Sequence, residues 1–478
     1  IATSAQGLLV SARHLQLVDV AALMEAAADL LSGHWKPRPK VGRAAAAVYL
    51  SLLTGRSIQH LNKFRVFATP AEADPAGAQD VELIVDTRQF RIRIPELPNA
   101  YVPAAEEAYL YRATTRTLNL KLPVLPCTSL ILRVLKSIAQ VPFGKRNPTL
   151  VKQAEDFVRM VNHRAGARIT LARVAQFLAR QIHLMSGDWA DVSLVSGEER
   201  SDPRLYYYAP SVVTLQNHYD AVWRGVQAGL RPPDSESSSA PVSNGANASR
   251  GPSVSVGSRG CPRDDAVREM VESQIESCQA ALRGRRGSKR IRTAHNALAI
   301  YTYLMVAWHT GVRAVDVPVD LVQYDSATGF LGVSDKDTDD YYASRLAWLP
   351  PVAQKQVARY LSNVDTLSAD AGLELAHGLG LFLLDDAGKP VQFTMKVLRR
   401  LLVDYPFRLN AQRHYLRTRL RELHVPAQAV DALLGHGDPG QESYARHSCY
   451  SPEQMKREMG SALKKLSIQM GWRVLPAC

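Results

Sequence analysis

The chain is divided by a stretch that cannot form part of a hydrophobic core. Residues 232–260 are rich in serine, glycine, proline and asparagine and contain almost no large apolar side chain. Such a segment buries too little apolar surface to offset the entropy lost on ordering, which is typical of a flexible linker. We therefore expect separate folding of an N-terminal region at 1–231 and a C-terminal domain at 263–478, joined by a linker at 232–262.

The net charge indicates the class of partner. Lysine and arginine number 58 against 45 aspartates and glutamates, which leaves a formal net charge of +13. This excess favours a polyanionic partner, and nucleic acid is the first candidate. A membrane is disfavoured, because the sequence has no basic amphipathic anchor, no lipidation motif and no apolar run near the roughly 18 residues that span a bilayer.

Cysteine usage and the N-terminal residues indicate the compartment. The five cysteines are scattered, odd in number and without paired metal-ligand spacing, so we expect neither a disulfide framework nor a zinc site. The first residues lack the basic flank and apolar block of a secretory signal. The sequence therefore predicts a cytoplasmic protein with no metal and no other cofactor.

Apolar periodicity makes the C-terminal domain mostly helical. Two short β runs, 329–333 and 344–349, are joined by an Asp-rich turn and predict a hairpin. The expected fold class is mainly α with a small antiparallel β-sheet. A period near 3.6 residues predicts the helices, at 264–282, 293–309, 352–361, 394–402, 412–423 and 427–434.

The polar motifs of this domain suit the cutting of a phosphodiester by tyrosine attack. Arg313 follows a Thr-Gly turn, and Asp316 is expected to hold its guanidinium. Arg413 begins a helix, and His436 follows Leu-Leu-Gly, shortly before Tyr444. Cleavage needs a nucleophile and cationic donors around the non-bridging oxygens. Arginine suits the second role, because its planar fork donates two bonds to one phosphate and keeps its charge.

In this order the motifs resemble those of the tyrosine recombinase (phage integrase) family, over residues 262–460. The resemblance implies a tyrosine-recombinase-like catalytic domain preceded by a helical DNA-binding region. It also implies a site-specific recombinase that acts on double-stranded DNA as a homotetramer. An accessory DNA-bending protein is compatible with this activity.

The resemblance also implies a role for each residue of the site. Tyr444 attacks the scissile phosphate and forms a 3′-phosphotyrosine. Lys336, at the end of the first hairpin strand, protonates the leaving 5′ oxygen. The transition state is stabilised by Arg313, Arg413 and His436.

Two alignments with the family's His-x-x-Arg motif are open. One takes His414 and Arg417; the other takes Asn410 and Arg413, with asparagine in place of histidine. We prefer the second, because it meets the family's spacing to Leu-Gly-His without a gap. Helical geometry also places Arg413 beside the predicted buried leucine face and His414 roughly opposite to it.

Three further alternatives stay open. Tyr450 competes with Tyr444 as the nucleophile. A type IB topoisomerase uses a similar set of residues to relax DNA without joining partner sites. A non-catalytic DNA-binding protein derived from a recombinase is compatible with the asparagine at position 410.

The N-terminal region echoes the order of elements of the C-terminal domain. An Ala-rich helix predicted at 43–53 runs into Thr54-Gly55, and a β pair and further helices follow. Alignment on the Thr-Gly pairs puts Ser57 in the place of Arg313. The region is either a degenerate copy of the catalytic fold or an unrelated helical region that binds DNA or a protein partner.

Overall fold

The chain is mostly helical with several small sheets, as its computed structural model shows, and this confirms the coarse fold class. No helix in the described part has both the length and the apolar character needed to cross a membrane. The structure describes residues 14–31, 39–61, 64–70, 81–125, 127–136, 149–197, 203–230, 254–283, 288–316, 319–335, 344–371, 380–402, 404–436, 448 and 450–476.

The α-helices of the described residues fall into two runs along the chain. The first run is α1 Leu17–Leu31, α2 Pro39–Thr54, α3 Ile58–Leu61, α4 Thr128–Lys136, α5 Leu150–Ala165, α6 Leu171–Ser186, α7 Trp189–Ser196, α8 Pro203–Tyr207 and α9 Val212–Gly229. The second run is α10 Asp264–Leu282, α11 Ser288–Thr310, α12 Pro351–Ala371, α13 Met395–Leu401, α14 Ala411–Glu422, α15 Ala427–Leu434 and α16 Pro452–Met470.

The strands are short and form four small sheets within the described residues. Their orders are β1-β2-β3-β5, β4-β6, β7-β8-β9 and β10-β11. The strands are β1 Arg65–Phe67, β2 Val81–Ile84, β3 Gln89–Arg93, β4 Thr114–Thr115, β5 Thr117–Lys121, β6 Ser255–Val256, β7 Tyr324–Asp325, β8 Phe330–Val333, β9 Arg345–Trp348, β10 Phe382–Leu384 and β11 Pro390–Gln392.

The chain forms two compact units, and neither is continuous in sequence. Unit 1 comprises Ile1–Pro98, Thr114–Asp202 and Pro210–Gly257. Unit 2 comprises Asn99–Ala113, Pro203–Ala209 and Ser258–Cys478. Two short segments of the N-terminal region, 99–113 and 203–209, therefore belong to unit 2. The predicted division at the Ser-rich stretch had placed both segments with the N-terminal region.

The end of the predicted linker is packed. Val256 and Cys261 are buried, and β6 pairs with β4 in a parallel register. Residues 254–262 are therefore part of the fold, because their few apolar side chains are buried and β6 finds a strand partner. Residues 232–253 of the predicted linker lie outside the described residues.

Unit 1 is built around α2, whose alanines Ala44, Ala45, Ala46 and Ala47 are fully buried. Small side chains on all sides let neighbouring helices approach closely, and α5 and α6 both pack on α2. The sequence predicted a β pair here, whereas the structure has a four-stranded mixed sheet in which β1 and β2 run parallel. The description of this region as simply helical is therefore incomplete.

Unit 2 places α11 and α14 at its centre. Tyr301, Tyr303 and Trp308 of α11 are buried in the core, and the predicted hairpin is present as antiparallel β8 and β9. Its register pairs Val333 with Arg345, so a charged side chain enters the core from β9. Residues 411–418 of α14 are all buried, so every polar side chain on this stretch needs a partner in the interior.

The same helical arrangement occurs once within unit 1 and once within unit 2. In each unit it involves two glycines with positive φ, Gly55 and Gly197 in unit 1 and Gly311 and Gly435 in unit 2. The helices α7 and α15 both have eight residues and end at a left-handed glycine, Gly197 or Gly435. A Cβ on Gly55 after α2 would meet side chains of α6 and the last residue of α7, while one on Gly311 after α11 would meet α14 and the last residue of α15. The two halves therefore repeat one packing motif around a Thr-Gly turn.

Candidate active site

Three of the five candidate catalytic residues lie together in unit 2. Arg313 follows α11, Arg413 lies in the first turn of α14, and His436 follows α15. Arg413 contacts His436 directly, and the charge of Arg313 acts on both. Lys336 and Tyr444 lie outside the described residues.

Gly311 allows the three elements to meet. Its φ is +63°, and a Cβ at this position would lie 2.4 Å from Cδ2 of Leu434, at the end of α15. A larger residue would push α15 away from the turn after α11. Because the turn stays tight, the carbonyl of Gly311 accepts hydrogen bonds from both Arg413 Nη1 (2.6 Å) and Arg345 Nη2 (3.2 Å).

Arg413 is fully buried, with 0% of its surface exposed. Its Nη2 donates to the carbonyl of Leu434 (2.8 Å) and to His436 Nε2 (2.8 Å). Burial lowers the pKa of Arg413, Arg313 lowers it further, and Tyr207 and Asp335 oppose the shift. Among the described residues Nε of this guanidinium has no hydrogen-bond partner. An unpaired N–H on a buried cation is costly unless a ligand accepts from it.

The contact with Arg413 determines the tautomer of His436. A guanidinium can only donate, so His436 Nε2 accepts and the proton of the neutral ring resides on Nδ1. Burial, and then the charges of Arg413 and Arg417, hold the pKa of His436 well below its usual range. Its Nδ1–H is buried without an acceptor in the described part of the chain. A neutral histidine therefore presents an unused donor beside an arginine with an unused N–H.

A buried pair absent from the sequence prediction, Arg345 and Asp335, supports the turn. Asp335 accepts from the backbone N–H of Arg313 (2.7 Å) and from Arg345 Nη2 (2.9 Å). Arg345 also donates to the carbonyl of Leu433 (2.7 Å). Burial lowers the pKa of Arg345 to about 9, Asp335 raises it, and Arg413 and Arg313 lower it. Asp335 thus binds one guanidinium and the backbone of Arg313, and its charge also acts on Arg413.

Asp316 has a different role from the expected one. Its Oδ1 accepts from the backbone N–H of Met395 (2.9 Å), the first residue of α13, and among the described residues it forms no ion pair with Arg313. Asp316 lies at the start of α13, where the first backbone N–H groups of a helix have no acceptor within the helix, and its carboxylate accepts from one of them. The carboxylate tied to Arg313 is Asp335, through the backbone.

Asn410 ties α14 to the turn after α11. Its side-chain oxygen accepts from the backbone N–H of Ala314 (2.9 Å), and Gln412 donates to the carbonyl of Val312 (2.8 Å). An amide makes this bond without a charge. Asparagine at this position therefore holds Arg413 in register with the segment that carries Arg313.

The alternative pair, His414 and Arg417, has structural partners. Arg417 is fully buried and forms an ion pair with Asp431 of α15. His414 was expected to face away from the core but is buried, 2.7 Å from the hydroxyl of Ser258. The expectation was wrong because segments distant in sequence cover the polar side of α14. The competing nucleophile Tyr450 donates to Glu458 (2.9 Å).

The segment 203–209 contributes two residues to the site that sequence reasoning missed. Arg204 donates to the carbonyl of His436 (3.0 Å), and the ring of Tyr207 stacks on the imidazole of His436. The Tyr206-Tyr207-Tyr208 run was visible in the sequence. Nothing in its spacing to Arg413 indicated that it packs against α14.

Buried neutral histidines predict that unit 2 is destabilised by mild acid. Burial lowers the pKa of His295 and of His309 to about 4, and of His414 to about 3. In the unfolded chain these histidines take up protons near pH 6.5, so stability is full above that pH. It then falls by up to about 1.4 kcal/mol per pH unit for each histidine as the pH drops towards 4.

Urea unfolding at several pH values checks this expectation. His309→Gln should flatten the dependence of the free energy of unfolding on pH, because it removes one of these groups. His163→Gln is the matched control, since His163 is exposed. If both variants keep the slope of the parent chain, the buried histidine does not contribute to acid lability.

In the described part of the chain, no group of three or more His, Cys, Asp or Glu side chains is arranged to hold a metal ion. No protein-family model, curated protein or solved structure matches this chain.

Proposed function

We propose that the chain is a site-specific tyrosine recombinase, which cuts and rejoins DNA through a 3′-phosphotyrosine. The observation that carries the proposal is the pair of unused donors at the centre of unit 2. Arg413 Nε–H and His436 Nδ1–H are both buried without an acceptor among the described residues. A phosphate offers several acceptor oxygens around one centre and suits such a pair.

The charges around this pair also favour an anion. The charges of Arg313 and Arg413 act on Arg345, the charge of Arg313 also acts on Arg413, and Asp335 is the carboxylate that Arg345 binds. Burying several like charges is unfavourable unless an opposite charge compensates them. A phosphodiester supplies one negative charge in the ground state and more in the phosphorane-like transition state.

The proposed reaction balances without an external reagent. The hydroxyl of Tyr444 gives its proton to solvent water as its Oη attacks phosphorus, the bond from phosphorus to O5′ breaks, and Lys336 donates a proton to the leaving oxygen and is reprotonated from water. Arg313, Arg413 and His436 bind the non-bridging oxygens as charge develops. Attack of a 5′ hydroxyl on the phosphotyrosine reverses these steps and rejoins the strand. The bond energy stays in the protein–DNA link throughout.

The surface beside the site is suited to the DNA backbone. Helix α13 carries three exposed basic residues, Lys396, Arg399 and Arg400. Its first N–H is bound by Asp316, three residues after Arg313, so the helix begins next to the turn that carries Arg313. Basic side chains near the site can neutralise flanking phosphates.

Recombination by this chemistry requires several protomers. Each chain is proposed to cut one strand, and joining two duplexes requires both strands of each duplex to be cut. We therefore extend the proposal to a homotetramer assembled on DNA, in the compartment where the DNA is held.

Covalent capture tests the proposed function without knowledge of the target site. The full chain is incubated with a library of randomised duplexes, denatured in detergent, and purified with any DNA still attached. Sequencing of the attached DNA should return one enriched motif with a defined cleavage position. The proposal fails if the chain yields no covalent DNA above the level of a heat-denatured sample.

Cleavage is expected to persist in EDTA. Arginine, histidine and lysine side chains supply the charge stabilisation and the proton in the proposed reaction, so removal of divalent ions should change the adduct yield less than about twofold. The measurement compares adduct yields on the enriched duplex in EDTA and in Mg²⁺. A strict requirement for Mg²⁺ in strand cleavage contradicts the tyrosine mechanism.

A further inference from the structure

The short helix α8, from the N-terminal region of the sequence, packs against His436. Helix α8 and the residues after it, 203–209, belong to unit 2. Arg204 Nη2 donates to the carbonyl of His436 (3.0 Å), and Arg204 Nε donates to Asp431 Oδ2 (2.9 Å). Arg204 of α8 therefore binds both the backbone carbonyl of His436 and the side chain of Asp431, which lies in α15, the helix just before His436.

The same segment also fixes the ring of His436. The aromatic rings of Tyr207 and His436 are stacked, with centroids 5.2 Å apart and an angle of 17° between their planes. Cζ of Arg413 lies 4.9 Å from the centroid of Tyr207, and the ring of His414 meets Tyr207 edge-on at 4.8 Å. One flat side chain thus contacts both residues that carry the donors of the proposed phosphate site.

Residues on both sides of Tyr207 anchor the segment 203–209. Before it, Arg204 bonds to His436 and Asp431. After it, the side chain of Tyr208 is buried, with 2% of its surface exposed. The backbone N–H of Ala209 donates to the hydroxyl of Thr418 on α14 (3.0 Å). The contacts of Arg204, Tyr208 and Ala209 hold the backbone on both sides of Tyr207 and so keep its ring against His436.

We propose that Tyr207 is a positioning residue of the DNA-cleavage site, which holds the imidazole of His436 so that Nε2 faces Arg413 and Nδ1–H faces the scissile phosphate. This inference rests on the proposed function for its catalytic consequence. The face of the ring stacks on the imidazole of His436, while the hydroxyl of Tyr207 acts on the guanidinium of Arg413. We assign the positioning of His436 to the ring face, and Tyr207 is distinct from the proposed nucleophile Tyr444.

The charges around His436 explain why the ring matters. We expect removal of the Tyr207 ring to let water reach the imidazole, which weakens the contribution of burial to the lowered pKa of His436. A protonated His436 can no longer accept from Arg413, and the bond between them is lost. Among the described residues, the titratable and charged groups that contact His436 or act on its charge are Arg413 and Arg417 on α14, Asp431 on α15, Arg204 and Tyr207 on α8, Arg345 on β9 and Arg313 after α11.

Titration of His436 tests the positioning role without any activity measurement. The full chain is labelled with ¹³C-histidine, and the signal of His436 is assigned by its loss in His436→Gln. In the parent chain and in Tyr207→Phe the signal should stay that of a neutral ring through the pH range in which an ordinary histidine titrates, near about 6.5. In Tyr207→Ala the midpoint should rise towards that range but stay below it, because the charges of the neighbouring arginines still lower the pKa of His436.

Controls keep this result interpretable. Tyr206→Ala removes the neighbouring tyrosine and should leave the titration of His436 unchanged. The signals of His295 and His309, buried elsewhere in unit 2, report whether each variant is folded. Tyr207→Leu fills much of the same volume without a flat ring, and serves if the alanine variant does not fold. The inference is overturned if His436 titrates in the folded Tyr207 variants as it does in the parent chain.

Cleavage kinetics then measure the catalytic consequence. On the duplex identified by covalent capture, Tyr207→Ala should slow cleavage by roughly 10- to 100-fold, as expected for a misplaced catalytic group. DNA affinity should change little, and Tyr207→Phe should retain most of the rate. Loss of the adduct in Tyr207→Phe would assign the role to the hydroxyl and overturn the inference. Failure of the parent chain to cleave any DNA would instead refute the proposed function and leave the titration result standing.

Discussion

Replacement of Arg413 by alanine is expected to lower the rate of DNA cleavage by about 10²- to 10³-fold, the usual effect of removing one donor to a developing negative charge. The guanidinium is buried, bonds to His436 and has Nε–H free of any described partner. Its loss removes a cation and also the hydrogen-bond donor that orients His436 through Nε2. The measurement is single-turnover cleavage of the captured duplex at saturating protein.

Arg413→Lys separates charge from geometry. Lysine keeps the positive charge but cannot bond at once to Gly311, Leu434 and His436 as the planar fork does. It should therefore also cleave slowly, while its folding is less disturbed than that of the alanine variant. A lysine variant with the rate of the parent chain would show that the fork geometry is unimportant.

Arg417→Ala is the matched control, one helical turn further along α14. Arg417 is paired with Asp431, so its removal should lower the free energy of unfolding by about 3 kcal/mol, as for breaking a buried ion pair. The fraction that remains folded should cleave far faster than Arg413→Ala. The opposite ranking of the two variants would favour the alignment that takes His414 and Arg417.

Replacement of Tyr444 by phenylalanine is expected to abolish the covalent adduct completely. A phenyl ring has no oxygen with which to attack phosphorus, so no partial activity is expected. DNA affinity should stay within about twofold, because one hydroxyl contributes little beside many phosphate contacts. The measurements are adduct yield after denaturation and DNA binding by the same variant.

Tyr450→Phe is the control for this experiment. It removes the hydroxyl that donates to Glu458 and leaves Tyr444 intact, so the adduct should form. Retention of the adduct in Tyr444→Phe together with its loss in Tyr450→Phe would exchange the two assignments.

The helices of unit 2 were predictable because their periodicity is local. The range 264–282 agrees with α10, and 427–434 agrees with α15. The helix predicted at 352–361 extends as α12 to Ala371, since the residues beyond position 361 are rich in polar types and give little periodic apolar signal. Helix α16 was not predicted, although it is capped by Ser451 and has Pro452 in its first turn.

The support of the candidate site was not predictable, because it depends on contacts between distant positions. Arg345 reaches the site through the β8–β9 register, which pairs it with Val333. Tyr207 reaches it because 203–209 packs with unit 2. A sequence pattern shows residue types and their spacing within one helix or strand, but it does not show which loop or strand packs on that element.

Of the two sequence arguments for the alignment that takes Asn410 and Arg413, the one from the helix face was wrong. The gap-free spacing selected Arg413, which contacts His436 in the structure. The helix-face argument placed His414 away from the core, yet His414 is buried against Ser258 and Tyr207. Periodicity locates the apolar face of a helix, but a central helix is covered on its polar face as well.

Mass spectrometry of the captured adduct tests the central claim most directly. The parent chain is trapped on its duplex, digested with protease and nuclease, and the nucleotide-bearing peptide is sequenced. The account predicts one modified residue, Tyr444, joined to a 3′-phosphate, with a free 5′ hydroxyl on the other DNA end. A phosphotyrosine at Tyr450 or Tyr207, a link to a 5′-phosphate, or a cut end with no attached peptide would each contradict it.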